Sequence, residues 1–296
     1  MSLPTKHIVH QGRVMASIAG TAFVALTQRF RAKTALATPT PEIVEEIAPL
    51  PADLVKDYVR HVGGDPGAYR GTLPAHLFPQ WGFPLAARTL RGIPYPMQKV
   101  LNGGCRLEQK APLPAGQPLI ARARLEDIDD DGRRAVLHQV VVTGTRDVPE
   151  AVIGHMYAIV PLGAPNGEKK KEKREPERVP DGARELAYFS LPADAGLAFA
   201  MLTGDFNPVH WVKPYAKAFG FRSTILHGFS TMARAIEALN RARFAGAVDR
   251  LATIDVKFTK PLVLPARVGV YTSGDKVWVG DAPSGPAYLA GSFQEK

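Results

Sequence analysis

Leu119, Ala121, Ala123 and Leu125 alternate with Ile120, Arg122 and Arg124, the period of a half-buried strand. Asp129-Asp130-Asp131-Gly132 then marks a turn, and the apolar runs Ala135 to Thr143 and Ala151 to Val160 predict two further strands. Ahead of them the period is helical. Residues 41–62 are helix-prone, with Leu54, Val55, Tyr58 and Val59 at helical spacing, and Phe83 to Leu90 predicts a short buried helix. The second half repeats the plan. Phe229, Met232, Ala233, Ile236 and Leu239 share one face of a helix over Gly228 to Arg241. Strands follow at Ile254 to Phe258, Ala266 to Thr272, Val277 to Val279 and Tyr288 to Phe293.

The repeat is also visible in letters. Val62-Gly63-Gly64-Asp65 echoes Leu202-Thr203-Gly204-Asp205 at an offset of 140, which sets Arg70 opposite His210. Lys110-Ala111-Pro112-Leu113-Pro114-Ala115 echoes Lys260 to Ala266 at an offset of about 150. A helix followed by antiparallel strands, twice over, divides the chain into an arm (1–40), a first domain (41–162), a linker (163–180) and a second domain (181–296).

Composition narrows the class. Hydrophobic residues at 45% and charged residues at 22% fit a globular protein, and no apolar run reaches the ~18 residues of a membrane span. The lone Cys105 excludes an internal disulfide and favours a reducing, cytoplasmic setting. Residues 1–40 are basic without an acid, which leaves organelle targeting as the alternative. The formal charge of +9 admits nucleic acid, an anionic cofactor or an acidic protein as partner. Part of it is local, since Glu168 to Arg178 hold six basic and four acidic residues. No nucleic-acid motif accompanies the charge, so nucleic acid is set aside.

The chemistry concentrates at Gly204-Asp205-Phe206-Asn207-Pro208-Val209-His210, followed by His227-Gly228. Gly204 and Pro208 stiffen a loop that can hold Asp205 and His210 about one water apart, as general acid–base work on a bound water requires. An Asp after Gly alone more often caps a turn. Elsewhere His61, His76, His138 and His155 show no metal spacing, no glycine-rich phosphate loop is present, and Cys105 has no nucleophile motif around it. Lys213, Lys217, Arg222 and Lys257 lie near the motif, where coenzyme A phosphates and a solvated face explain them equally well.

This loop, with Pro214, Ala216-Lys217-Ala218-Phe219-Gly220-Phe221 and His227-Gly228, resembles the signature of the MaoC-like family, the (R)-specific enoyl-CoA hydratases (hydratase 2) and (3R)-hydroxyacyl-thioester dehydratases. The resemblance covers roughly residues 185–295. It implies an α+β double hot-dog fold, with a degenerate N-terminal hot-dog that shapes the acyl pocket and a catalytic C-terminal one. It implies reversible hydration of trans-2-enoyl thioesters to (3R)-3-hydroxyacyl thioesters, with Asp205 and His210 as the acid–base pair and the Gly228 N–H as oxyanion donor. Gly204, Asn207, Pro208 and His227 support the loop. No metal or redox cofactor is implied; coenzyme A or acyl carrier protein carries the substrate, and a homodimer is compatible with it. One departure stands out: some relatives carry a Ser where this chain has Ile236. Two alternatives stay open at this stage, a non-catalytic acyl-thioester-binding subunit and a hot-dog thioesterase.

Overall fold

The structure, a computed structural model, describes residues 3–12, 37–96, 100–163 and 175–296. Most of the basic N-terminal arm and most of the basic linker lie outside the described residues.

Strand β1 (Ile43–Ile47) leads into helix α1 (Ala52–His61), the two-residue strand β2 (Thr72–Leu73) and helix α2 (Pro79–Thr89). Strands β3 (Leu101–Gln109), β4 (Leu113–Pro114), β5 (Leu119–Asp130), β6 (Arg134–Gly144) and β7 (Val152–Pro161) complete the first half. The second half runs β8 (Arg184–Leu191), helices α3 (Ala195–Thr203), α4 (Lys213–Ala218) and α5 (Gly228–Ala242), then β9 (Leu251–Phe258), β10 (Ala266–Ser273), β11 (Lys276–Gly280) and β12 (Ala287–Glu295).

Ten strands form one antiparallel sheet, ordered β1-β5-β6-β7-β3-β9-β12-β11-β10-β8. Its left five and right five strands mirror each other in chain order about the β3–β9 seam, where Gly104 to Glu108 pair with Lys257 to Thr253. Helix α2 lies on β5 and β6, and α5 lies on β8 to β12, so each half-sheet covers its own long helix. This is the double hot-dog arrangement. Inward residues of β5, Leu119, Ala121, Ala123 and Leu125, are all buried, as the alternation predicts.

The expected helix over 41–62 is helical only from Ala52. Ile43 to Ile47 pair with Ala123 to Leu119 instead, because the edge of β5 offers unpaired backbone groups that a strand satisfies. The offset between the halves is also corrected. Helix α1 ends at His61 and α3 at Thr203, which makes it 142 residues rather than 140. Asp65 accepts from the Gly67 N–H at 2.8 Å, as Asn207 accepts from the Val209 N–H at 3.3 Å, each before a short 3-10 turn opened by proline. Asp65 is thus the counterpart of Asn207, while Gly63 and Ala68, not Arg70, stand opposite Asp205 and His210. The later echo keeps its offset: Leu73 pairs with Leu113 as Ile225 bridges Val263.

A polar seam crosses the core between the halves. On α5, Arg234, Glu237 and Asn240 are buried at 5%, 1% and 2% exposure. Glu237 accepts from the Tyr69 hydroxyl at 2.7 Å and from His76 Nε2 at 3.0 Å, and Tyr58 lies against His76 Nδ1 at 3.0 Å. Arg234 donates to the His61 carbonyl at 2.6 Å and lies over the Phe189 ring at 5.4 Å. Burial lowers the Arg234 pKa to about 10, and burial beside that cation lowers His61 to about 3. Gly64 packs so closely on the Glu237 carboxylate that a Cβ there would collide with it.

Among the described residues no helix is long and apolar enough to cross a membrane. Removing one side of the seam strands a buried polar group, so His76→Ala is expected to lower stability by about 3 kcal/mol. Adding Glu237→Leu is expected to recover part of that loss. Urea unfolding of the two single variants and the double variant measures the coupling; simple additivity would show that the contact contributes nothing.

Candidate active site

The Gly204–His210 loop begins where α3 ends. Gly204 sits at φ +83°, in the left-handed region, and its N–H closes the helix on the Ala200 carbonyl at 2.7 Å. That positive φ is why a glycine stands here: it turns the chain out of α3 without the steric penalty of a Cβ. Pro208 opens the 3-10 turn Pro208–His210, and the Asn207 side chain caps it through the Val209 N–H. The loop is pinned from behind. A Cβ on Gly196 would collide with the His210 carbonyl, and the Ile225 N–H bonds the Val209 carbonyl at 3.3 Å.

Asp205, His210 and His227 converge: a carboxylate oxygen and one nitrogen from each ring lie within 4.8 Å of one another. His210 Nδ1 is 2.9 Å from the Ile225 carbonyl. A carbonyl only accepts, so Nδ1 carries the proton and the neutral ring presents Nε2 as its lone pair. His227 Nε2 likewise donates to the Asp205 carbonyl at 2.9 Å, and the two imidazoles stack with centroids 3.6 Å apart. Phe199 lies against the His227 ring at 4.9 Å.

Burial sets the electrostatics. It raises the Asp205 pKa, against the pull of nearby His210 and the Asn207 N–H. It lowers His210, against Asp205 and the Ile225 carbonyl. His227 is pushed well below the usual imidazole range by burial first and by His210 second, so it stays neutral. The Asp205 side chain keeps 20% exposure, whereas His227 keeps 2%. Of the three, His227 is the sealed member.

The trio also has the donor types of a metal site. However, the His227 nitrogen near the Asp205 carboxylate, at 3.8 Å from Oδ2, is the Nε2 already donating to the Asp205 carbonyl. Ligation there would break the bond that ties α5 to the loop. The set fits acid–base work better than a resident metal. Of the remaining histidines, His76 and His61 belong to the α5 seam, and His138 Nε2 pairs with His155 Nδ1 at 3.0 Å on the sheet.

Gly228 is the first residue of α5, where a backbone N–H has no carbonyl one turn earlier within the helix. A Cβ here would meet the Phe258 ring at 2.8 Å, so glycine is held by close packing as well as by position. Phe258 and Phe83 each stand edge-on to Phe229, at 5.9 and 5.1 Å. All seven residues singled out in the sequence thus fall on the loop or at the α5 N-terminus. Sequence reasoning missed the Ile225 carbonyl and Gly196. The first is a backbone group with no letter of its own; the second is one small residue in an apolar run. Ile236, where some relatives have Ser, is buried at 3% exposure in the main core. Cys105 is buried and burial raises its thiol pKa, as suits a packing residue.

The MaoC like domain family profile matches residues 169–281. The chain is 38% identical over 114 residues to 3-hydroxyacyl-thioester dehydratase X of Mycobacterium tuberculosis, covering 38% of each chain. It is 33% identical over 174 residues to the enoyl-CoA hydratase ChsH3 of the same organism, covering 56% of this chain and 58% of that one. It is 26% identical over 209 residues to mouse (Mus musculus) peroxisomal multifunctional enzyme type 2, covering 66% of this chain and 28% of that one. The alignments therefore span between 28% and 58% of these relatives' lengths. Among solved structures, HtdX of M. tuberculosis superposes with TM-score 0.69 at 23% identity, covering 86% of this chain and 99% of that one. An M. tuberculosis protein described as a double hotdog superposes with TM-score 0.53 at 14% identity, covering 88% and 97%. Residues 169–281 thus match the MaoC like domain, and the described residues take a double hot-dog fold.

Proposed function

We propose that this chain is a hydro-lyase that adds water reversibly to trans-2-enoyl thioesters, giving (3R)-3-hydroxyacyl thioesters. The observation that carries this reading is the convergence of Asp205 and His210, with His210 Nε2 left as an acceptor by the Ile225 bond. The names of the relatives, dehydratase and enoyl-CoA hydratase, support the same reaction class. The (3R) outcome rests on the resemblance.

Water held between the Asp205 carboxylate and His210 Nε2 donates an O–H to each. One of the pair takes a proton as the oxygen bonds to C3 of the enoyl group, and the pair returns a proton to C2. The net addition is one water, with no oxidant or reductant. Electrons displaced from the double bond reach the thioester oxygen. The Gly228 N–H, at the positive end of the α5 dipole, stabilises that oxyanion, on the order of 3 kcal/mol by comparison with other such donors. The conjugated thioester supplies the electron sink itself, so the reaction calls for no metal or redox cofactor. His227 acts indirectly. It holds the Asp205 carbonyl and packs on His210, so the two reactive groups keep one geometry.

Loss of ultraviolet absorbance on mixing with crotonyl-CoA tests the reading. Asp205→Asn and His210→Asn are each expected to lower kcat by 10²- to 10⁴-fold, roughly the contribution of a general acid or base. Wild-type turnover that either variant leaves unchanged would remove the pair from the chemistry. Gly228→Ala is expected to retain the fold but lose activity, because the new Cβ pushes on Phe258 and shifts the donor. Thioester cleavage, read as free thiol, would instead identify a thioesterase.

The pH profile follows from the two shifts. Hydration needs both acceptors unprotonated, and burial raises Asp205 while lowering His210. The acid limb of kcat/KM is therefore expected between the usual carboxylate and imidazole ranges, with activity lost as pH falls through it. A limb at or above the ordinary imidazole range would contradict a buried, neutral His210.

A further inference from the structure

The one surface in sharp contrast with the buried site begins at the residue after His210. Trp211, Tyr215 and Phe219 are 42%, 39% and 51% exposed. Tyr215 and Phe219 stack on each other with centroids 4.7 Å apart, on the outside of α4. Only Ala216 of that helix is buried. Exposed aromatics grouped this way and rimmed by polar residues have the make-up of an interaction site.

The charge around them is one-sided. Between Phe206 and Ile236 the chain has no acid. Lys213, Lys217 and Arg222 are exposed there. Several cations elsewhere on the surface have carboxylate partners: Arg60 has Asp57, Arg124 has Glu42 and Glu126, and Arg243 and Arg250 share Glu295. Among the described residues, none of Lys213, Lys217 and Arg222 is paired with a carboxylate. The patch is tied rigidly to the site, because Trp211 Nε1 donates to the Phe206 carbonyl at 3.1 Å, inside the catalytic loop.

Shape and charge choose between occupants. A nucleotide needs a concave site, and α4 stands proud with only one residue buried. A second copy of the chain, docked about a two-fold axis, would set these cations against their own copies. A protein surface with an apolar centre and a carboxylate rim meets neither objection. We propose that the outer face of α4, with Trp211, docks the acidic face of an acyl carrier protein that delivers the enoyl thioester to Asp205 and His210. The proposal rests on the hydratase reading and names the carrier for the same site.

The test uses a bacterial acyl carrier protein loaded with a crotonyl thioester, beside crotonyl-CoA. Calorimetric binding and turnover are measured for wild type, for Tyr215→Ala/Phe219→Ala and for Lys213→Glu/Lys217→Glu. All four positions are exposed, so the variants are expected to fold, which circular dichroism checks. Each double variant is expected to weaken carrier-protein binding and raise its KM by about tenfold or more, with kcat little changed and crotonyl-CoA turnover within twofold of wild type. Wild-type binding is expected to weaken with salt, and Lys213→Arg/Lys217→Arg to retain it. The proposal is overturned if wild type does not bind the loaded carrier protein. It is also overturned if both substrates lose equally, which would make the patch a coenzyme A site, or if the variants change only the oligomeric state in light scattering, which would make it a contact between copies. Binding that the variants abolish, without turnover of either substrate by wild type, would keep the docking surface and remove the hydratase reading.

Discussion

A carboxylate buried to 1% exposure must be partnered, and among the described residues Glu237 finds its partners, Tyr69 and His76, on the opposite half of the chain. Much of the architecture follows from that requirement. Helix α5 cannot slide or turn without stranding Glu237 from Tyr69 and His76, or Arg234 from the His61 carbonyl. The end of the same helix presents Gly228, and His227 just before it grips the Asp205 carbonyl. A hydrogen-bonded seam deep between the halves thereby fixes the position of a backbone N–H at the site. The sheet contributes shape; the seam contributes alignment.

The loop answers the same problem on a smaller scale. Asp205 and His210 are drawn out of water, which opposes charge on each, and every freedom the rings have is removed by a backbone carbonyl. Ile225 decides which nitrogen of His210 faces the carboxylate, and Asp205 itself decides how His227 sits. A poised pair emerges from ordinary main-chain hydrogen bonds, with no additional charged residue needed to hold it.

Much of this was legible in the sequence where a physical constraint leaves a letter. Left-handed backbone writes glycine at 204, a capped turn writes Asn-Pro at 207–208, and half-buried strands write the alternation from Leu119 to Leu125. Constraints that act through backbone or through distant partners left little trace. Ile43 to Ile47 look helical because Glu45 and Glu46 interrupt the alternation, and only the free edge of β5 makes them a strand. The two-residue error between the halves arose because Gly64-Asp65 imitates Gly204-Asp205 in letters, whereas Asp65 performs the task of Asn207. The seam was invisible for a related reason. Glu237 and Asn240 read as the polar side of an amphipathic helix until the other half is folded over them.

The two halves follow one plan, yet at the positions opposite Asp205 and His210 the first half has Gly63 and Ala68. Its counterpart loop has been given over to gripping α5: Arg234 holds the His61 carbonyl, Arg241 reaches the Gly63 carbonyl at 3.3 Å, and Gly64 leaves room for Glu237. A symmetric pair of hot-dogs would have two equivalent centres, each bound to change whenever the other did. Here the internal two-fold is broken, so the proposed chemistry has one candidate centre among the described residues of each chain and no second like site to communicate with. On that reading, any sigmoidal dependence on substrate would have to originate between chains.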